Sequence, residues 1–171
     1  MILYAIIDKT RSPPTSNPPN ATPSSADFAG TIGYLHGSAT NLSVEIGFII
    51  VLPPFQRTHI TTNAVGLLLR YALDLHTASP PGIGLRRVQW QTSEQNDASI
   101  RVAERMGFKR EARLRWDRVF VSGQGKVGNG EEIREGDPRP GTLGRHTIML
   151  AICWDDWENG WREKISRLMD R

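Results

Sequence analysis

Apolar residues along the chain fall into short runs, and their spacing shifts from alternation to helical periodicity and back. Met1 to Asp8 opens with seven apolar positions and reads as a buried strand. Phe28 to Leu35 reads as a second strand, in which Gly30 and Gly33 allow close backbone approach. Val44 to Leu52 is a nearly continuous apolar run stopped by Pro53-Pro54, the pattern of a strand buried on both faces. Ala64, Val65, Leu68, Leu69, Ala72 and Leu75 then recur at helical spacing, and that helix stops before Pro80-Pro81-Gly82.

Val88, Trp90 and Thr92 alternate with polar neighbours, which marks a fourth strand. Asn96 or Asp97 can cap a second helix, with Val102, Ala103 and Met106 inward and Gly107 at its C-terminal end. A long strand is expected from Phe108 to about Phe120, with Ala112, Leu114 and Trp116 on one face, and a last strand from His146 to Cys153. The tail from Asp155 to Arg171 has the pattern of an amphipathic helix carrying Trp157, Trp161, Ile165 and Leu168. Two stretches, 11–27 and 122–144, are rich in loop-forming residues and read as long excursions. The order predicts an α/β fold with a mixed sheet, in which the crossover from Val44 to Thr92 implies one parallel pair.

Composition narrows the class. A chain of 171 residues with 39% hydrophobic content fits one domain, 1–171, with a core of its own. No run reaches the roughly 20 apolar residues that span a bilayer, and the opening residues lack the marks of a signal peptide. The single cysteine, Cys153, suits a reducing compartment, cytoplasmic or nuclear. A formal charge of +3 permits an anionic ligand without arguing for nucleic acid.

Two strand-to-helix junctions are where chemistry is expected, because helix N-termini there present free amides. The first, Phe55 to Asn63, offers successive N–H groups, three hydroxyls and Arg57 at the positive end of a helix dipole, a setting for pyrophosphate. The same residues also describe an ordinary Thr- or Asn-capped helix start. The second, Ser93 to Ser99, offers Asn96 and Ser99, which serve equally as a local cap.

Three motifs then resemble the GNAT superfamily of acetyltransferases, in particular the branch containing ribosomal-protein-alanine and amino-acid N-acetyltransferases. They are Val44-Glu45-Ile46-Gly47-Phe48-Ile49-Ile50, Gln56-Arg57-Thr58-His59-Ile60-Thr61, and the stretch from Asn96 through Ser99 and Arg101 to Gly107-Phe108. The resemblance implies an acetyl-CoA-dependent N-acetyltransferase with no metal, acting on a primary amine such as a protein N-terminus, an amino acid or a small amine. It implies that Ile49, Ile50 and Val51 meet the pantetheine arm, with an oxyanion donor near Ile49. It further implies that Gln56, Arg57, Thr58, His59, Ile60, Thr61 and Thr62 surround the pyrophosphate, and that Asn96, Ser99 and Arg101 complete the cofactor set. Ser99 is the candidate proton donor to the departing thiolate, and Glu45 the candidate base.

Three departures from the family accompany the likeness. His59 and Thr61 stand where the phosphate loop usually has glycine, so both side chains are expected to lean away from the cofactor. Ala103 replaces the tyrosine that many members use as an acid. The chain is also expected to lack the N-terminal strand and two helices that build one wall of the acceptor groove.

An α-amine near pKa 8 costs only about 1 kcal/mol to deprotonate at pH 7, against about 4–5 kcal/mol for a lysine. Weakly basic amines are therefore the easier acceptors. The expected partners are acetyl-CoA and an amine, with homodimerisation open and neither membrane nor nucleic acid favoured. The competing class is a CoA-binding or interaction module that has lost catalysis. His36 and His146 read as ordinary surface or core histidines, His59 as a weak base candidate, Cys153 as a buried inert thiol, and the tail tryptophans as core rather than a ligand cage.

Overall fold

The computed structural model describes residues 1–10, 25–121 and 127–170. Most of the first predicted excursion, and the start of the second, lie outside the described residues. The strands and helices make the mixed α/β fold that the apolar pattern predicts, and they group into two compact units, Met1–Val88 with Cys153–Arg171, and Gln89–Ile152.

In the first unit, β1 (Ile2–Ile7), β2 (Phe28–Ser38) and β3 (Ser43–Val51) form an antiparallel run in that order. The two strand glycines have the role their sequence positions imply. A Cβ on Gly30 would sit 1.9 Å from the Ile50 carbonyl oxygen, and one on Gly33 would sit 2.5 Å from that of Ile2. Only a residue without a side chain allows this approach.

Two burial expectations are corrected here. β1 is exposed over Met1, Ile2, Leu3 and Tyr4, and among the described residues of this unit it pairs with β2 alone. A strand paired on one side leaves its apolar side chains less covered. β3 is buried from Ser43 to Ile46 and then alternates, with Phe48 and Ile50 more than half exposed. The cause is a bulge. Gly33 faces Gly47 while Thr31 faces Ile50, so β3 carries an extra residue, and Phe48 adopts φ 50°. The positive φ of the bulge thus falls at Phe48, immediately before Ile49, Ile50 and Val51.

Helix α1 (Ile60–Leu73) buries Ile60, Ala64, Val65, Leu69, Ala72 and Leu73, while Leu75 lies beyond its end and is exposed. Gly66 lets the C-terminal segment approach, since a Cβ there would meet the Met169 sulfur at 2.4 Å. The buried Tyr34 hydroxyl donates to the Leu68 carbonyl of this helix.

The predicted single tail helix is broken into α3 (Trp154–Asp156), a wide turn over Trp157–Trp161, and α4 (Arg162–Met169). Asn159 and Gly160 leave helical geometry, Gly160 at φ 107°, a conformation glycine adopts without strain. The break leaves Trp157 fully buried, donating its indole N–H to Asp74 at 2.8 Å, while Trp154 is half exposed. Trp157 is therefore core, as its position in the tail predicts.

The second unit holds β4 (Arg87–Ser93, entering from the first), α2 (Asp97–Arg105), β5 (Lys109–Val121) and β6 (Thr142–Cys153), with strand order β4-β6-β5. β4 alternates as predicted, with Val88, Trp90 and Thr92 buried. Ile100, Ala103 and Met106 face inward from α2, Val102 is half-buried, and Gly107 closes the helix at φ 93°. β6 starts at Thr142, four residues earlier than predicted. β5 departs from simple alternation. Its pairing with β6 slips between Leu114 and Arg118, Trp116 takes φ 53°, and nearly every residue is exposed. Among the described residues no helix is long and apolar enough to cross a membrane.

Candidate functional site

The first junction is built by the Pro53-Pro54 stop, which ends β3 and starts a single 3-10 turn over Pro53–Phe55. Gln56 holds this turn to the strand, its amide donating to the Val51 carbonyl at 3.0 Å. Thr58 donates its hydroxyl to the Phe55 carbonyl at 2.6 Å. Arg57, between them, is exposed at φ 61°, a left-handed conformation uncommon for a residue with a side chain.

Helix α1 begins at Ile60 with His59 at its N-cap, and the His59 side chain makes no cap bond. The Thr58 hydroxyl oxygen accepts from the Ile60 N–H at 3.4 Å, a long bond. The start is therefore Thr-held, as one expectation had it, through a single weak side-chain contact. Because each helix begins with amides that lack intrahelical partners, a weakly held start is a place for an anion.

The two glycine replacements are accommodated. His59 sits at φ −64°, ψ −18°, which any residue adopts, and its ring turns toward the buried Asp8 at 3.6 Å. Asp8 also receives the Thr10 amide and hydroxyl at 2.9 and 2.7 Å. Thr61 is half-buried within the first helical turn, and Thr62 is buried. Ile60, predicted to line the phosphate, has its side chain in the core, so only its backbone faces the junction. Ile49 and Val51 are half-buried on the bulged strand, beside the exposed Ile50.

Glu45 lies near the start of the same strand. It is 8% exposed and sits 2.8 Å from Nδ1 of the exposed His36. A buried carboxylate held by an imidazole is a stable arrangement that still has a route to solvent.

In the second unit, the junction from β4 to α2 is closed by its own side chains. The Asn96 carbonyl oxygen accepts from the Ser99 amide at 3.1 Å, a standard N-cap. The Ser99 hydroxyl oxygen accepts from the Trp90 indole N–H at 3.0 Å. Arg101 is exposed and its recorded ion pair, at 3.9 Å, is with Asp97 one turn earlier. Glu94 pairs with Arg113 at 2.6 Å, and this guanidinium holds the Glu94 carboxyl below its ordinary range.

One cluster is absent from the sequence reading. His146, read as an ordinary histidine, is fully buried. Its Nδ1 accepts from the Trp116 backbone N–H at 2.9 Å, and its Nε2 lies 2.9 Å from Glu131. With Nδ1 accepting, the neutral ring carries its proton on Nε2 and donates it to Glu131. Asn129 lies 3.3 Å from the same nitrogen, and the Trp116 ring meets the imidazole edge-on. The residues are 15 to 30 positions apart along the chain, so no local signal announces them. Cys153 is half-buried rather than buried, at the last position of β6, and partial burial pushes its thiol up, in keeping with an inert group.

Comparison with known proteins gives these junctions a context. The family profile described as acetyltransferase (GNAT) domain matches residues 14–109. Among solved structures, a GCN5-related N-acetyltransferase from Brucella melitensis superimposes with a TM-score of 0.68 at 22% identity. The match covers 98% of this chain and 57% of that one. A probable GNAT-family acetyltransferase from Chromobacterium violaceum gives 0.58 at 27% identity, covering 80% of this chain and 55% of that one. A spermidine/spermine N-acetyltransferase from Vibrio cholerae gives 0.55 at 15% identity, covering 79% and 64%. This chain thus spans less than two thirds of the length of each. No curated protein sequence matches it. With more than half of its residues inside the family profile, this chain belongs to the GNAT acetyltransferase family.

Proposed function

We propose that this chain transfers an acetyl group from acetyl-CoA to a primary amine by direct attack in a ternary complex. The observation that carries the reading is the junction from the bulged β3 to the start of α1, whose first turn is held by a single long side-chain bond from Thr58, in a chain of the GNAT family. Backbone N–H groups between Arg57 and Thr62 are proposed to hold the pyrophosphate, with Gln56 bracing the turn from behind. The bulge from Phe48 to Val51 is proposed to meet the pantetheine arm, with a backbone N–H near Ile49 toward the oxyanion. Asn96 and Arg101 are proposed as further contacts.

In the transfer, the amine lone pair forms the C–N bond while the C–S bond breaks with its electron pair on sulfur. Glu45 is the proposed acceptor of the amine proton, directly or through water, and the exposed His36 beside it leads that proton outward. Ser99 donates a hydrogen bond to the departing sulfur. A thiol of cysteine-like pKa needs only modest help of this kind, so positioning carries most of the catalysis. An α-amine or another weakly basic amine is the proposed acceptor class, because Glu45 is the single carboxylate assigned to take the proton.

The test is calorimetric titration of acetyl-CoA, with desulfo-CoA and ATP as controls, followed by a thiol-release screen of amines. Micromolar, acetyl-CoA-preferring binding and release of CoA with at least one amine are expected. A folded protein that binds no acetyl-CoA would overturn the reading, and tight binding without CoA release would replace it with a binding module.

A further inference from the structure

The second junction contains a contact whose direction is unambiguous. Indole nitrogen can only donate, so at 3.0 Å the Trp90 N–H gives its proton to the Ser99 hydroxyl oxygen. The Ser99 hydroxyl hydrogen is then left pointing elsewhere, and among the described residues it finds no acceptor. A serine in a first helical turn often bonds back to the chain. Here its backbone N–H is instead committed to Asn96 and its oxygen to Trp90.

Trp90 itself has little freedom. It is 3% exposed on the inward face of β4, and its ring meets Phe108 edge-on with centroids 5.4 Å apart. Phe108 follows Gly107, whose positive φ turns the chain out of α2, and the Phe108 N–H bonds the Ala103 carbonyl at 3.0 Å. The strand, both ends of the helix and the aromatic pair therefore fix the indole N–H. A hydroxyl that accepts one hydrogen bond becomes a better donor of another.

We propose that Trp90 is a positioning residue for Ser99, fixing its hydroxyl so that its hydrogen is presented to a sulfur anion. This rests on the reading of Ser99 as the donor to the CoA thiolate. The alternative is that Ser99 merely satisfies a buried indole N–H, which would need some partner in any case.

The two are separated by titrating the thiol of bound CoA, followed by its ultraviolet thiolate absorbance in the wild type, Ser99→Ala and Trp90→Phe. A hydroxyl donating to the thiolate lowers the thiol pKa. Ser99→Ala is therefore expected to move the inflection up by about one pH unit, and Trp90→Phe to move it part of the way. An unmoved inflection in Ser99→Ala removes the reading of Ser99 and this inference with it. A shift in Ser99→Ala with none in Trp90→Phe overturns the role of Trp90 alone.

Where Trp90→Phe does not fold, the wild type decides through the Trp90 indole ¹⁵N–¹H resonance. It should titrate with the thiol in the CoA complex and stay flat with desulfo-CoA. A resonance flat in both overturns the proposal.

Discussion

α1 and α2 each follow a strand across one of the two junctions, and their first turns are held to different degrees. α1 follows the bulged β3 and a proline stop, and a single long bond from the Thr58 hydroxyl holds its first turn. α2 follows the regular β4 and is closed by Asn96, with Ser99 pinned between the cap and Trp90. An N-cap is worth about 1 kcal/mol, so a helix start without one forgoes that stability unless another group supplies it. α1 compensates through burial. Six of its apolar positions, from Ile60 to Leu73, are at most 8% exposed. The contrast is between a start held by one long bond from Thr58 and a start closed by Asn96 with Ser99 tied to Trp90. Residues with similar helix-start chemistry, Thr58-His59 and Asn96-Asp97, thus lead to different arrangements.

The largest test of this comparison falls on Ser99. Ser99→Ala should lower turnover about tenfold or more, with acetyl-CoA affinity changed by no more than about threefold, because only the transition state uses the hydroxyl. A parallel loss of affinity and turnover would leave the Ser99 hydroxyl only the structural role of accepting from Trp90.

Asn96→Ala removes the closure of α2 and should cost about 1 kcal/mol. For a chain of this size that is a fall in Tm of about 2–4 °C, read by thermal unfolding. An unchanged Tm would mean that the recorded cap does not bear on stability.

His59→Ser offers the first-turn amides of α1 a second hydroxyl beside that of Thr58. Acetyl-CoA affinity should fall about threefold, as the new hydroxyl competes for the amides. Unchanged or tighter binding by calorimetry would break the contrast between the two helix starts.

The smallest effect concerns Glu94, whose carboxyl is held below its ordinary value of 4.5 by Arg113. A lowered carboxylate adds stability above its unfolded pKa and loses it as pH falls through the folded value. Glu94→Gln should therefore flatten the acid limb of a Tm-against-pH curve below about pH 4.5, and leave neutral pH nearly unchanged, since the pair is exposed. An identical acid limb in the variant would show that Arg113 contributes nothing there.

Much of the second unit's outline was legible in advance. Val88, Trp90 and Thr92 alternate because one face of β4 is buried, and Asn96 and Gly107 mark the helix ends because caps act over three or four residues. The first unit was less legible. The exposure of Ile2 and Leu3 depends on which strands flank β1, and the alternation after Gly47 depends on a register slip against β2. Neither is written in a window of neighbouring residues. The broken tail helix carried its own signal, Gly160, yet the strong spacing of Trp157, Trp161 and Ile165 masked it.

By itself the sequence determined the order of elements, their approximate ends, the two junctions and the family motifs, because periodicity, caps and proline stops are local properties of the chain. Tertiary structure alone decided the pairing of Glu45 with His36, the turn of His59 toward Asp8, the donation from Trp90 to Ser99, and the buried His146 with Trp116 and Glu131. Each of these joins residues from different elements. Strand register and helix docking set the distances between them, and those follow from how apolar faces pack rather than from any one stretch of residues.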